Sequence, residues 1–291
     1  MATRLACFIV LLVAGDEKPN AAGYAKPELL MEAAEVAKPQ PAGARRILDA
    51  REKSKYTESH IPDAVWVDHT TWMRSFTNGD AKDAWAKRIG GLGIDLDTPV
   101  VIYDDSGFKD AGRIWWILRY WGVRDVRLLN GGWKAWRDSK GPTSTETPKV
   151  TAIDVKLAPT SERLAAKTDV LGAIKNGKSQ IIDARSTEEF CGTEQTAKRN
   201  GAIPGAKHLE WSDAVDQKTK RFKSAEELRK LFKEAGIDPS QPSITYCQSG
   251  GRAAVMAFTL ELMGGKNVRN YYKSWAEWGN DETTPIEKGK K

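Results

Sequence analysis

Two patterns of apolar residues alternate along this chain. Short runs rich in β-branched residues, Val100-Val101-Ile102-Tyr103 and Ile244-Thr245-Tyr246, predict strands of parallel sheets buried on both faces. Longer stretches with helical periodicity lie between such runs. The plainest are Arg113 to Trp121 and Ala253 to Met263, the second followed by Gly264-Gly265 as a helix C-cap would be. Strands alternating with helices predict an α/β fold, with crossovers covering the sheet faces.

The same signals then come twice, in the same order. Ile47-Leu48-Asp49-Ala50-Arg51, Ile61-Pro62-Asp63-Ala64, Val100 to Tyr103 and Trp133-Lys134-Ala135-Trp136 form the first copy. Ile181-Ile182-Asp183-Ala184-Arg185, Ile203-Pro204-Gly205-Ala206, Ile244 to Tyr246 and Trp275-Ala276-Glu277-Trp278 answer it, with extra residues between Cys191 and Gly201. An internal repeat on this scale predicts two related domains. We place them at 26–140 and 162–291, joined by a connector over 141–161 that carries Gly-Pro and Thr-Pro steps.

Composition narrows the classes of function. A chain of 291 residues suffices for two domains with cores of their own. No apolar run approaches the ~20 residues needed to cross a bilayer, so no membrane span is expected. The net charge of +6 comes from 45 basic and 39 acidic residues that are interspersed, which argues against nucleic acid. A modest positive field suits a small anionic substrate. Residues 1–25 read as a signal peptide, with Arg4 ahead of the apolar run Leu5 to Gly15, and predict a periplasmic or secreted protein. Cleavage could fall near Val13-Ala14-Gly15 or before Lys26, while Cys7 inside the apolar run argues against a lipoprotein. The mature chain keeps Cys191 and Cys247, too few for a disulfide scaffold. His60, His69 and His208 lack paired ligand spacing, so neither metal nor cofactor is expected.

The candidate chemistry lies in Cys247-Gln248-Ser249-Gly250-Gly251-Arg252, between a strand ending at Tyr246 and a helix expected from Ala253. Such a loop turns backbone N–H groups toward its centre, and the helix dipole adds partial positive charge there. Gly250 and Gly251 allow the curl. Those amides, the helix terminus and Arg252 would favour a thiolate on Cys247, the form that acts as a nucleophile. The alternative is a cysteine that merely packs as a small hydrophobe. Serine, two glycines and an arginine would line an apolar site poorly.

Both halves resemble rhodanese domains. The first carries Tyr56-Thr57-Glu58-Ser59-His60-Ile61-Pro62-Asp63-Ala64, with Asp63 where the family usually has Gly. The second has Gly201-Ala202-Ile203-Pro204-Gly205-Ala206, with Ala202 where His is usual, and closes on Trp275-Ala276-Glu277-Trp278, preceded by Lys273 where Gly is common. The resemblance implies two tandem rhodanese-like domains, each a mainly parallel sheet flanked by helices, with only the second catalytic. Asp104 stands in the first where Cys247 stands in the second. The implied activity moves sulfane sulfur from a small anionic donor to cyanide or a thiol, through a persulfide on Cys247. Gln248, Ser249, Gly250 and Gly251 would wrap the sulfur, Arg252 and Arg185 would hold the donor's negative group, and the first domain would lend Phe108 or its neighbours to the pocket wall. The chain is expected to act as a monomer.

A cationic Arg252 ranks thiosulfate ahead of 3-mercaptopyruvate as donor. Two other classes compete. Cysteine phosphatases resemble Cys-x5-Arg, one residue longer than the spacing from Cys247 to Arg252; a sulfur carrier without turnover is the second. Cys191 is expected to pack, or else to trap oxidised Cys247 as a disulfide.

Overall fold

The computed structural model describes residues 23–41 and 44–289, so the segment expected to be a signal peptide lies outside them except for its last three residues. The first domain builds a five-stranded sheet from β1 (Leu30–Met31), β2 (Arg46–Asp49), β3 (Ala64–Trp66), β4 (Val100–Tyr103) and β5 (Val126–Leu129), in the order β1-β5-β4-β2-β3. The second builds β7-β6-β8-β9 from β6 (Gln180–Asp183), β7 (Lys207–His208), β8 (Ser243–Tyr246) and β9 (Val268–Asn270). Every pairing is parallel. The central strands β4 and β8 are buried along their whole length, as their apolar runs predict for strands covered on both faces.

The expected helices both begin earlier than the sequence suggests. They run Lys109–Tyr120 and Gly251–Leu262. Gly250, with φ of 82°, makes the turn into the second helix, and Gly251 and Arg252 are its first residues rather than loop. Glycine's turn preference hides that start, because only one of the two adjacent glycines is needed for the turn.

These two helices pack on each other and join the domains. Ile114, Trp115, Trp116, Ile117 and Leu118 are all fully buried, as are Ala253 to Leu260, so neither helix has a solvent face there. An all-round apolar helix has to be covered on every side. Each helix covers the other. Trp115 meets Phe258 edge to face at 4.9 Å, and Phe222 stacks on both Phe258 and Phe108. One apolar cluster therefore runs through both domains, with a smaller cluster on the outer face of each sheet. The sequence suggested two separate cores; the shared one arises because the domains meet through their most apolar helices.

The stretch 141–161 is bonded along the first domain: Ser144 pairs with His60, Ile153 N–H donates to Gly90, and Ala158 and Thr160 N–H to Trp121 and Tyr120. At the other end, Tyr24 is buried, its hydroxyl 2.8 Å from the Lys223 carbonyl, and Lys26 N–H donates to Leu262. A cut before Lys26 would remove that packed tyrosine. A cut near Gly15 would keep it.

Gly112 lies where the central helices touch, and a Cβ there would stand 3.1 Å from the Val255 side chain. Gly112→Val should wedge the helices apart and destabilise the fold by about 1–3 kcal/mol, read as a lower urea midpoint.

Candidate active site

Each domain carries the same buried clamp at the end of its β2 or β6 strand. In the second, Asp183 accepts from Arg185 Nε at 3.0 Å and Nη2 at 2.6 Å, and from the Tyr246 hydroxyl at 2.5 Å. Arg185 Nη2 also donates to the Gly201 carbonyl at 2.7 Å, and Ile203 N–H donates to the Tyr246 oxygen at 3.1 Å. Trp275 covers the guanidinium, its ring centre 4.3 Å from Cζ. In the first, Asp49, Arg51 and Tyr103 repeat the arrangement with Ser59, Ile61 and Trp133. Burial, with Asp183 beside it, pushes the Tyr246 hydroxyl far above its ordinary pKa, so it stays a donor. Tyr246 is the residue before Cys247. The clamp therefore sets where the loop begins.

Cys247 itself is 1% exposed, at the base of the turn between β8 and the helix Gly251–Leu262. Its N–H donates to Ser274 Oγ at 3.0 Å, and its carbonyl accepts from Trp275 N–H at 2.9 Å. Around the turn the carbonyls point outward and are held. Gln248 O accepts from Ala276 N–H, Ser249 O from Arg113 Nη1 at 2.7 Å, and Gly250 O from Asn270 Nδ2 at 3.0 Å. The Gln248 side chain exchanges two hydrogen bonds of 2.9 Å with Thr196, from the segment that the second copy adds. With the carbonyls outside, the amides face inward.

The first domain shows where those amides converge. There the Asp104 carboxylate fills the corresponding turn and accepts N–H groups from Ser106, Phe108, Asp110 and Ala111 at 2.9–3.3 Å, plus the Ser106 hydroxyl at 2.8 Å. Burial, with Asp110 nearby, pushes its carboxyl up, while the amides pull it down. The counterparts of the first three donors are Ser249, Gly251 and Ala253. Among the described residues, no carbonyl, carboxylate or hydroxyl accepts from their N–H groups. Helix Gly251–Leu262 points its N-terminus at the same place. The second turn is thus an anion cup with a thiol, where the first holds its own carboxylate.

The cations are placed differently from expectation. Arg185 is 1% exposed and held by Asp183 and Gly201, so it braces the clamp instead of offering a free fork to a donor. Arg252 does stand at the cup. Its two terminal nitrogens are taken by Glu189, at 2.5 and 2.9 Å. Burial raises the Glu189 carboxyl, and the bonds from Arg252 outweigh that and hold it below the usual carboxylate range. Phe108 stacks on Phe222 at 4.4 Å in the shared core, in the same apolar cluster as Cys247. The residue that crosses from the first domain is Arg113, whose Nη1 bridges Ser249 O and the Tyr272 hydroxyl at 2.7 and 2.9 Å. A Cβ on Gly251 would stand 2.4 Å from the Arg113 guanidinium, which accounts for the second glycine.

Sequence reasoning missed Arg113, Glu189, Tyr272 and Ser274. Two of these left signals: Arg113 is a charge ahead of five apolar residues, and Ser186 with Glu189 has the spacing of a capping box, which the structure forms. Cys191 ends the helix that carries Glu189 and is a half-buried free thiol.

Comparison with known proteins agrees with this architecture. The rhodanese-like domain profile matches residues 32–139 and 166–281. The chain is 36% identical over 286 residues to the sulfur carrier protein TtuD of Thermus thermophilus, covering 92% of this chain and 99% of that one. It is 35% identical over 295 residues to a thiosulfate sulfurtransferase of Corynebacterium glutamicum, covering 94% and 95%. The crystal structure of SseA from Escherichia coli, described as a 3-mercaptopyruvate sulfotransferase of rhodanese fold, matches with a TM-score of 0.72 and 27% identity, over 85% of this chain and 98% of that one. With both halves matched and relatives similar along almost their whole length, the chain belongs to the rhodanese family of sulfurtransferases.

Proposed function

We propose that Cys247 carries sulfane sulfur as a persulfide, taken from thiosulfate and passed to cyanide or a thiol. The observation that supports this most is the pair of matching turns: three of the amides that hold the Asp104 carboxylate in one domain have counterparts around Cys247, at Ser249, Gly251 and Ala253, that bond no protein oxygen among the described residues. In the first step the Cys247 thiolate attacks the outer sulfur of thiosulfate. The S–S bond breaks and sulfite leaves with its electron pair, so the cysteine gains one sulfur and its terminal sulfur carries the negative charge. The amides of Ser249, Gly251 and Ala253 receive that charge. In the second step cyanide attacks the terminal sulfur, thiocyanate leaves, and the thiolate returns. This is double-displacement chemistry on one nucleophile. Arg113 acts as a positioning residue, because it fixes the Ser249 carbonyl outward and so turns the neighbouring amides in.

Thiosulfate as the donor rests mainly on the names of similar proteins, among them those of Corynebacterium glutamicum and Azotobacter vinelandii. The free cationic Arg252 expected from the sequence is a weaker reason, since Glu189 shares it. The four-residue interval between Cys247 and Arg252 and the buried nucleophile support sulfur chemistry over phosphate. We also propose that the N-terminal segment directs export, on the strength of Arg4 and the run Leu5 to Gly15.

Three measurements check these readings. Intact mass after thiosulfate treatment should show one added sulfur, absent in Cys247→Ser, with kcat/KM higher for thiosulfate than for 3-mercaptopyruvate; a large preference for the latter reverses the choice of donor. Arg113→Met should lower kcat/KM about tenfold, the size of a lost charge-assisted hydrogen bond, and Arg113→Lys should recover part of it. N-terminal sequencing of native material should begin shortly after Gly15, and an intact Met1 rules out cleavage.

A further inference from the structure

Among the described residues, Glu189 is the carboxylate that pairs with Arg252 at the cup. It is 4% exposed, it takes both terminal nitrogens of Arg252, and its Oε2 also accepts the Ser186 N–H at 3.2 Å. A helix cap needs only the last of these contacts. The other two bring a second negative group to a site that, in the proposed reaction, works through a thiolate and must receive an anionic donor. The remaining arginines do not offset it. Arg185 is matched by Asp183, and Arg113 is turned to the outer side of the loop by Ser249 O and Tyr272. The net charge that a donor meets from side chains therefore depends on whether Arg252 stands alone or paired. Two donors that differ by one unit of charge will feel the difference unequally.

We propose that Glu189 is a specificity-determining residue: by neutralising Arg252 it weakens the hold on doubly charged donors such as thiosulfate, relative to donors with one negative charge such as 3-mercaptopyruvate. The proposal rests on Cys247 being the sulfur-carrying residue. It makes the Glu189–Arg252 pair a charge setting of the cup, separate from the amides that bind the transferred sulfur.

A ladder of near-isosteric variants in the full chain tests it, read as the ratio of kcat/KM for thiosulfate to that for 3-mercaptopyruvate at low ionic strength. Glu189→Gln leaves Arg252 unpaired and should raise the ratio roughly tenfold. Arg252→Gln leaves the carboxylate unpaired and should lower it by a similar factor. The double variant restores a neutral pair and should return close to the parent. The steps should shrink in high salt. A Glu189 that only supports the fold would depress both donors alike, and an unchanged ratio across the ladder overturns the proposal. Glutamine can still accept the Ser186 amide. If the single variant nonetheless fails to fold, the double variant against Arg252→Gln changes the pair by the same unit of charge and decides alone. Intact mass separates the two levels: sulfur uptake on Cys247 with an unchanged ratio removes only the role of Glu189, whereas no uptake by the parent protein removes the persulfide reading and the proposal with it.

Discussion

A buried carboxylate shared by an arginine and a tyrosine hydroxyl governs both domains. Asp183 and Asp49 are fully buried, and each is matched by a guanidinium and a phenol from different parts of its domain. Removing one partner from such a group costs about 3–5 kcal/mol, because a charge is then left in the interior without compensation. The clamp ties the end of one strand to the end of its neighbour, and the tyrosine it fixes is the last residue before the turn. The position of Cys247, like that of Asp104, follows from a structural ion pair at the end of the neighbouring strand. Arg185 belongs to this clamp, its guanidinium bonded to Asp183 and the Gly201 carbonyl.

The two turns differ in what occupies them. In the first domain, four amides and a hydroxyl converge on a carboxylate that the chain itself supplies. In the second, a thiol stands at the same place, and in the proposed reaction it accepts sulfur, with amides arranged for the charge that then develops. One backbone design thus yields a closed structural turn and a reactive one, according to the side chain at a single position. The helix dipole points at both turns, at a resident carboxylate in one and, in the proposed reaction, at a sulfur anion in the other.

What was legible in the sequence follows its linear logic. The strands β4 and β8, the repeat, the cup from Cys247 to Arg252 and the equivalence of Asp104 with Cys247 all lie within short runs or depend on their order. The partners of the cations do not. Arg252 meets Glu189 across 63 positions and Ser249 meets Arg113 across 136, and nothing in a run of residues encodes which distant carboxylate or carbonyl a guanidinium will find. Arg185 illustrates the same limit at short range: an arginine two residues after an aspartate can point at a ligand or fold back on that aspartate, and the burial that decides between them is a property of the assembled domain. The start of the catalytic helix was hidden for a local reason, since Gly250 and Gly251 look alike in sequence while one makes the turn and the other yields space to Arg113.

The shared core explains why a domain without a sulfur-carrying residue stays part of the unit. Helix Gly251–Leu262 is buried on all sides, and much of its cover is the helix Lys109–Tyr120 of the first domain. Its N-terminus forms the cup, so the face that orients the amides and the face that needs cover belong to one rigid element. Taking the first domain away would expose that helix, remove Arg113 from the Ser249 carbonyl and leave Tyr272 without its partner. On the proposed reading the two copies divide the labour: one presents the nucleophile, and the other holds in place the helix and loop on which that nucleophile depends.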